Sequence, residues 1–460
     1  MRRDNSEGEG STVEANPEKQ PVLEEREDIV TQSTSTGIEV FIESEVEKLA
    51  SQCRLFNEDG GNSEEEITLF HRNEVLTCSL LGAGAFSEVY QIYGFQLTGP
   101  INRQQDQARE EMKENVIGES GRCQYVVKHL RSDLLGRKAK FVHAAADLIM
   151  EAGFLAKLGH QNIVKLRGWS GGPESYSNGS HDGFFLILDR LDYTLSYRIA
   201  AWQADQRSRE LIYSKDLLDY TEKLDIAKQI ASAIDYLHDR DIIFRDLKPD
   251  NVGFKGKTVQ IFDFGLCREL PEVSPDKRKT FHMSGVGTRR YMAPEVFLGQ
   301  HYNLKADVYS WTIVFHTMLS LQKPFGMYDA PLHKLFVCQQ GVRPTVIPEW
   351  PREIQKLCRT GWAQNPDQRP SMKAIHQQLE ELIRSMDNEE SLPGDSLIER
   401  SLDVLGKCTN QLCNDLKIDH RHFATTLRML EMQMVGGSIS STYRQHSTHP
   451  HHQHLRSQYL

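Results

Sequence analysis

Two hydrophobic rhythms divide the middle of this chain. Between residues 75 and 191 short apolar runs recur, VLTCSLLGAG, SEVYQIYGF, QYVVKHL, VKLRGW and FFLILDRL, each with the length and β-branched or aromatic content of a strand. One stretch breaks the series. In AAADLIMEAGFLAKLGH the residues Leu148, Leu155 and Leu158 recur at helical spacing. Beyond residue 215 the rhythm is helical: LLDYTEKLDIAKQIASAIDYLHDR sets Leu217, Leu224, Ala227, Ile230, Ile234 and Leu237 along one face. The pattern predicts an α+β chain with a small strand-rich lobe holding one key helix, then a larger helical lobe. A cleft between two such lobes is a natural ligand site.

Outside residues 74–384 the patterning fades. Residues 1–66 carry 18 Asp/Glu against 6 Lys/Arg, a charge of −12 that leaves +2 for the other 394 residues. That acidic, Ser- and Glu-rich head reads as mostly disordered; IEVFIESEVEKLASQCRLF (38–56) within it reads as a transient amphipathic helix in a flexible arm, with a docking segment as the alternative. DNEESLPGDS reads as a linker, 396–434 as weakly helical and the His-rich end as a disordered tail, together making up 385–460. No basic field points to nucleic acid. No apolar run of about 18 residues predicts a membrane span, and MRRDNSEGEG has no secretion signal. The eight scattered cysteines suit a reducing compartment, the cytoplasm with the nucleus as alternative. Cys408 and Cys413 with His420 and His422 match no common zinc spacing and read as reduced thiols.

The chemistry concentrates in three places. In LLGAGAFSEVY, Gly82 and Gly84 lie between strand-like runs, where their backbone can pass close to a phosphate; alone, such a pair is as common in hairpin turns. In QYVVKHL the alternation turns Lys128 to the face opposite Val127, and an inward lysine needs an anion or a partner such as Glu151. In IIFRDLKPDN, followed by IFDFGLCREL, a hairpin would gather Asp246, Asn251 and Asp263 at one end of the cleft. Asp246 is a candidate base, Asn251 and Asp263 offer hard oxygen ligands for Mg²⁺, and Lys248 is placed to neutralise a transferring phosphoryl group.

Taken together and in order, GAGAFSEV, VVK, FRDLKPDN, DFG and APE resemble the signature set of the eukaryotic protein kinases. The resemblance implies the bilobal kinase fold and use of ATP and Mg²⁺. It implies that Leu81, Gly82, Gly84, Val89 and Val126 enclose the nucleotide, with Leu188 as gatekeeper and Asp189 to Leu191 as the adenine-holding hinge. Lys128 would bind the α- and β-phosphates and pair with Glu151; Asp246 would be the base, Lys248 a γ-phosphate contact, and Asn251 with Asp263 the metal ligands. Glu295 would pair with Arg369, Asp307 would brace the catalytic-loop backbone, and Leu155, Leu166, Phe244 and Phe264 would stack.

Departures from that pattern carry expectations of their own. Phe244 stands where most kinases have His. Val126 replaces a common Ala above adenine, and Gly253 a large apolar residue below it, which predicts an open-floored slot and weak ATP affinity. Val89 and Lys128 lie 39 positions apart, so residues 96–122 read as a mobile insertion. DLKPDN and Thr288 in GTRRYMAPE resemble Ser/Thr kinases, whereas TGWAQNPDQRPSM with Trp362 resembles tyrosine kinases and their Ser/Thr relatives. The combination implies the tyrosine-kinase-like group, acting on Ser/Thr hydroxyls of protein substrates. Asp250 is a slender pointer to basic substrates. Arg245 and Arg268 are placed to grip a phosphate on the loop between DFG and APE, with Ser284 the first candidate phosphosite, Thr280 the second and an upstream kinase as partner. A scaffold that binds partners without catalysis is the alternative.

Overall fold

The structure, a computed structural model, describes residues 37–51, 53–57, 67–119, 121–171, 173–177, 179–209, 218–271 and 279–390. Chain contacts divide at residue 383/384; the second unit, 384–460, is described only over the end of one helix. The readings made above for residues 1–36, 58–66 and 391–460 lie outside the described residues, the Cys408–Cys413 and His420–His422 set among them.

The small lobe is a six-stranded sheet in the order β1-β5-β6-β4-β3-β2. Its strands are β1 (Thr68–Leu69), β2 (Val75–Ala83), β3 (Ser87–Phe95), β4 (Tyr125–Leu130), β5 (Leu166–Trp169) and β6 (Phe185–Asp189). All neighbours pair antiparallel except β1 with β5. Ahead of the sheet lie α1 (Ile38–Ala50) and the single turn α2 (Arg54–Asn57). Two helices then flank it, α3 (Arg103–Glu114) and α4 (Lys138–Lys157).

β4 explains why both are needed. Every one of its six residues is buried, so both faces of the strand are covered. Val127 and Tyr125 point to a core shared with Phe70, Ile92, Phe95, Phe185 and Ile187, which Met112 and Val116 close from α3 and its end. Lys128 points to the other face, toward α4.

The expectation of a mobile 96–122 insertion is therefore corrected. Its helix is anchored through an unusual buried face, Gln105, Arg109 and Met112, spaced four and three residues apart. Gln105 accepts from Leu69 N–H (2.7 Å), and the Arg109 guanidinium donates to Gly99 O (2.7 Å) and to the fully buried Glu74. Glu74 in turn accepts from Thr98 N–H at 2.7 Å and His71 N–H at 2.8 Å. These bonds offset most of the cost of burying the ion pair, with Arg109 Nε left without a partner among the described residues.

The acidic head needs a second correction. Residues 37–51 and 53–57 are folded rather than disordered: α1 packs on α4, with Ile42 wholly buried.

In the large lobe, β7 (Tyr193–Thr194) leads into α5 (Leu195–Arg209), followed by α6 (Leu218–His238) and β8 (Ile242–Ile243). Strands β9 (Val252–Lys255) and β10 (Thr258–Ile261) form a hairpin beside β7, and β11 (Arg268–Glu269) pairs with β8. The single turn α7 (Pro294–Phe297) precedes α8 (Lys305–Ser320). Residues 306–319 of α8 are buried all round, the mark of a helix through the centre of a lobe. The short α9 (Ala330–Leu332), α10 (Arg352–Gly361) and α11 (Met372–Glu390) complete the described chain. No described helix is long and apolar enough to cross a membrane.

Candidate active site

The site is built at the ends of β4, α4 and the β9–β10 hairpin. Strand register sets its roof: Val89 lies opposite Lys128, and Val126 opposite Leu188. Gly84 N–H donates to Ser87 O at 2.8 Å, closing the turn of the β2–β3 hairpin, while Gly82 has open space where a side chain would stand. Leu81, beside it, is exposed.

Lys128 is the electrostatic centre. Its ammonium lies 2.9 and 2.7 Å from the two carboxylate oxygens of Glu151 and 2.8 Å from Asp263 Oδ1. Burial alone would discharge it, but the Asp263 and Glu151 carboxylates outweigh burial and hold its pKa above the ordinary lysine value. Lys128 in turn holds the Asp263 carboxyl below its usual range, against the upward push of burial. Asp263 takes a positive φ of 71°, a conformation uncommon for a non-glycine residue. That strain sits where the charge cluster and the following Phe264 both constrain the chain.

Asp246 is fixed on both sides. Oδ1 accepts from Thr288 N–H (2.8 Å) and Thr288 Oγ1 (2.9 Å), and Oδ2 accepts from Lys248 Nζ (2.6 Å) and Asn251 Nδ2 (3.1 Å). Lys248 also donates to Thr288 Oγ1 at 3.1 Å. Because the Asn251 amide nitrogen is committed to Asp246, its oxygen is left to act as a ligand. With Asp263, that makes two hard oxygen donors. They fit Mg²⁺, which takes one or two protein ligands and fills its octahedron with phosphate oxygens and water. Among the described residues no cluster of three or more His, Cys, Asp or Glu offers an all-protein metal site.

Beneath these residues the backbone is held by Asp307, which is fully buried. It accepts from Phe244 N–H (2.8 Å), Arg245 N–H (2.9 Å) and His238 Nε2 (2.9 Å). Arg245 needs that support, having a positive φ of 71° immediately before the base. Glu295 and Arg369 form a buried bidentate pair at 2.5 and 2.9 Å. Leu155, Leu166, Phe244 and Phe264 are all buried, and the two phenylalanine rings meet edge to face at 5.2 Å.

The hinge runs from Asp189 to Leu191. The Asp189 carboxylate accepts from Arg167 (2.6 Å) and Lys255 (2.9 Å), which outweigh burial and hold its pKa down. Backbone N–H groups of Asp189, Arg190 and Asp192 are bonded to Lys165, Gln124 and Phe254 carbonyls. Among the described residues the Leu191 N–H alone of this run has no acceptor.

Two expectations change here. The floor below Gly253 is not open: a side chain there would come within 2.4 Å of Leu191 Cδ1, so Leu191 already fills the space. Sequence reading treated the two positions separately, and only the β7–β9 pairing brings them together. Nor do Arg245 and Arg268 form a joint phosphate grip. Arg268 donates to Asp147 of α4 at 3.1 Å, while Arg245 Nη1 alone reaches Ser284 Oγ, at 3.5 Å. Ser284 and Thr280 are both exposed. Thr288 is a direct partner of Asp246, a contact signalled in the sequence only by its place ahead of APE.

A strand-rich lobe over a helical lobe, with a buried Lys–Glu pair facing an Asp–Lys–Asn loop, defines a protein kinase catalytic domain. The family model for the protein kinase domain matches residues 114–379, more than half of the chain, and the chain belongs to that family. The glycine-rich hairpin precedes the matched range, which begins inside the 96–122 insertion, and the sheet pairing β2–β3–β4 returns it to its place. The chain is 28% identical over 247 residues to human mitogen-activated protein kinase kinase kinase 7, covering 51% of this chain and 36% of that protein. The Drosophila melanogaster protein of the same name is 28% identical over 260 residues, 55% of this chain and 34% of the relative. A probable LIM domain-containing serine/threonine-protein kinase of Dictyostelium discoideum is 34% identical over 180 residues, 39% of this chain and 27% of the relative. The match thus spans about a third or less of the length of these relatives.

The compensation at the floor is testable by nucleotide binding. Leu191→Ala should weaken ATP binding about tenfold, roughly 1.4 kcal/mol, and adding Gly253→Leu should recover most of that loss. Titration calorimetry on the three proteins checks it; an unaffected Leu191→Ala variant would mean the leucine is not the floor.

Proposed function

We propose that this protein is a Mg·ATP-dependent Ser/Thr protein kinase of the tyrosine-kinase-like group. The observation that carries the reading is the complete set of reactive charges in one place. Lys128 is bound by Glu151 and Asp263, and Asp246 is bound by Lys248, Asn251 and Thr288. The Ser/Thr assignment draws support from the Lys248–Thr288 contact beside the base and from the serine/threonine-protein kinase of Dictyostelium discoideum among the relatives.

The bound nucleotide and metal supply the transferable phosphoryl group and part of the charge neutralisation. The chain's residues do the rest. Lys128 orients the phosphates, with Asn251 and Asp263 as metal ligands. Asp246 aligns the substrate hydroxyl and takes its proton as the oxygen bonds to the γ-phosphorus and the bond to the leaving ADP oxygen breaks. Lys248 puts a positive charge beside the base, where negative charge on the transferring group arrives. Positioning and electrostatics, rather than covalent chemistry, account for the rate.

We further infer control by loop phosphorylation from an upstream kinase. Arg245 is buried, and burial pushes its pKa down. Its guanidinium donates to Leu266 O (2.5 Å), Tyr302 OH (3.3 Å) and Ser284 Oγ, with no carboxylate at ion-pair distance among the described residues and the nearby Asp147 taken by Arg268. A phosphate on Ser284 would supply the missing counter-charge. Thr280 is the second candidate, two residues past the undescribed part of the loop. The proposed compartment is the cytoplasm or nucleus, in keeping with six unpaired cysteines among the described residues.

Transfer of labelled γ-phosphate to a generic Ser/Thr acceptor protein tests the activity. The native chain should transfer and Asp246→Asn should fall at least about a thousandfold; equal rates would remove Asp246 as the base. In the same assay Ser284→Ala should be about tenfold less active than the phosphorylated native chain and indifferent to phosphatase. Full activity in phosphatase-treated Ser284→Ala would end the switch proposal.

A further inference from the structure

Residues 37–57 precede the first strand of the small lobe and lie outside the matched family range, yet they touch the parts of the molecule that must stay aligned for transfer. On the α4 side, Glu45 approaches His143 (3.6 Å), Lys138 caps the Phe41 ring (4.5 Å) and Phe56 meets Phe154 at 5.3 Å. Gly153 marks the contact most sharply. A glycine inside a helix costs roughly 0.5–1 kcal/mol against alanine. Here a Cβ would stand 2.8 Å from the Phe56 ring, so the ring occupies the place a side chain would take. Gly153 is two residues from Glu151.

The other end of the segment grips the large lobe. Arg54 Nε and Leu55 N–H each donate to one oxygen of Glu269, both at 2.8 Å, and Arg54 Nη2 reaches Asp241 at 3.1 Å. The Glu269 side chain is only 5% exposed while Arg54 is 39% exposed, so the charge-assisted bonds are made to an acceptor held out of water. Glu269 lies on β11, whose partner β8 runs directly into Phe244, Arg245 and Asp246. Its neighbour Arg268 turns the opposite way, to Asp147 of α4. The two-residue strand therefore holds α4 directly through one residue and the N-terminal segment through the next.

We propose that residues 37–57 form an intramolecular strut, with Arg54 and Phe56 as positioning residues that lock α4 to β11 and thereby hold Glu151 against Lys128. The proposal rests on the kinase reading for its effect on rate, but not for its effect on α4. Loss of the strut frees α4 to move away from β4, which separates Glu151 from Lys128 without touching Asp246, Asn251 or Thr288. The strut acts whether or not Ser284 carries a phosphate.

Full-length native protein, Arg54→Ala, Arg54→Lys, Phe56→Ala and Gly153→Leu are compared by steady-state transfer and by hydrogen–deuterium exchange. Gly153→Leu improves helix propensity while expelling the Phe56 ring, so it separates loss of the strut from loss of helix stability. In Arg54→Ala, Phe56→Ala and Gly153→Leu, kcat should fall about tenfold with the KM for acceptor protein within about twofold. Exchange over residues 138–157 should rise about tenfold with residues 305–320 unchanged, and Arg54→Lys should keep most of the native behaviour. Native exchange over 138–157 in both Arg54→Ala and Phe56→Ala would overturn the strut, as would uniform loss of protection through 305–320. If the native chain transferred no phosphate, the kinase reading would fail, while the exchange comparison would still decide the strut.

Discussion

One buried cation organises this molecule. Lys128 sits on the central strand of the small lobe, its ammonium taken out of water, and a charge in that position persists only where carboxylates meet it. Glu151 comes from α4 and Asp263 from the turn after β10, so satisfying one charge requires a helix and the large lobe to adopt fixed places. The constraint is mutual for the two buried members: removing Lys128 or Glu151 leaves the other as an uncompensated buried charge, at a cost of order 3–5 kcal/mol. The same arrangement is what nucleotide phosphates require.

The scaffold behind the site works by similar means. Asp307 holds two successive backbone N–H groups ahead of Asp246 and keeps Arg245 in a strained conformation. Glu295 and Arg369 tie α7 to the turn before α11 through a buried bidentate pair. In the small lobe, Glu74 and Arg109 dock the inserted α3 over the sheet, covering the face of β4 opposite Lys128. Three buried polar networks thus fix the catalytic loop, the large-lobe base and the roof.

The residues that carry chemistry were legible because phosphoryl transfer imposes residue types at fixed spacing, and the structure gathers Lys128, Glu151, Asp246, Lys248, Asn251 and Asp263 as expected. The strand-then-helix order of the lobes was equally plain from apolar period. What escaped was the packing between segments. The face of α3 that enters the core is Gln105, Arg109 and Met112, which in sequence looks like a solvated surface. Phe41, Ile42, Arg54 and Phe56 lie in an acidic stretch whose partners, such as Gly153 and Glu269, are remote in sequence. Leu191 filling the space at Gly253 and Asp147 capturing Arg268 are tertiary compensations between residues tens of positions apart, invisible to local pattern.

The account stands on Lys128 and Glu151 acting as one unit, and a double-mutant cycle on kcat/KM for ATP tests that most directly. Native, Lys128→Met, Glu151→Gln and the double variant would be measured under identical conditions with folded protein in each case. If the pair is one device, the double variant is no worse than the poorer single variant, within about threefold, because the second substitution has nothing left to break. Effects that multiply across the cycle would mean that the two residues serve catalysis independently and that the buried cation does not organise the site.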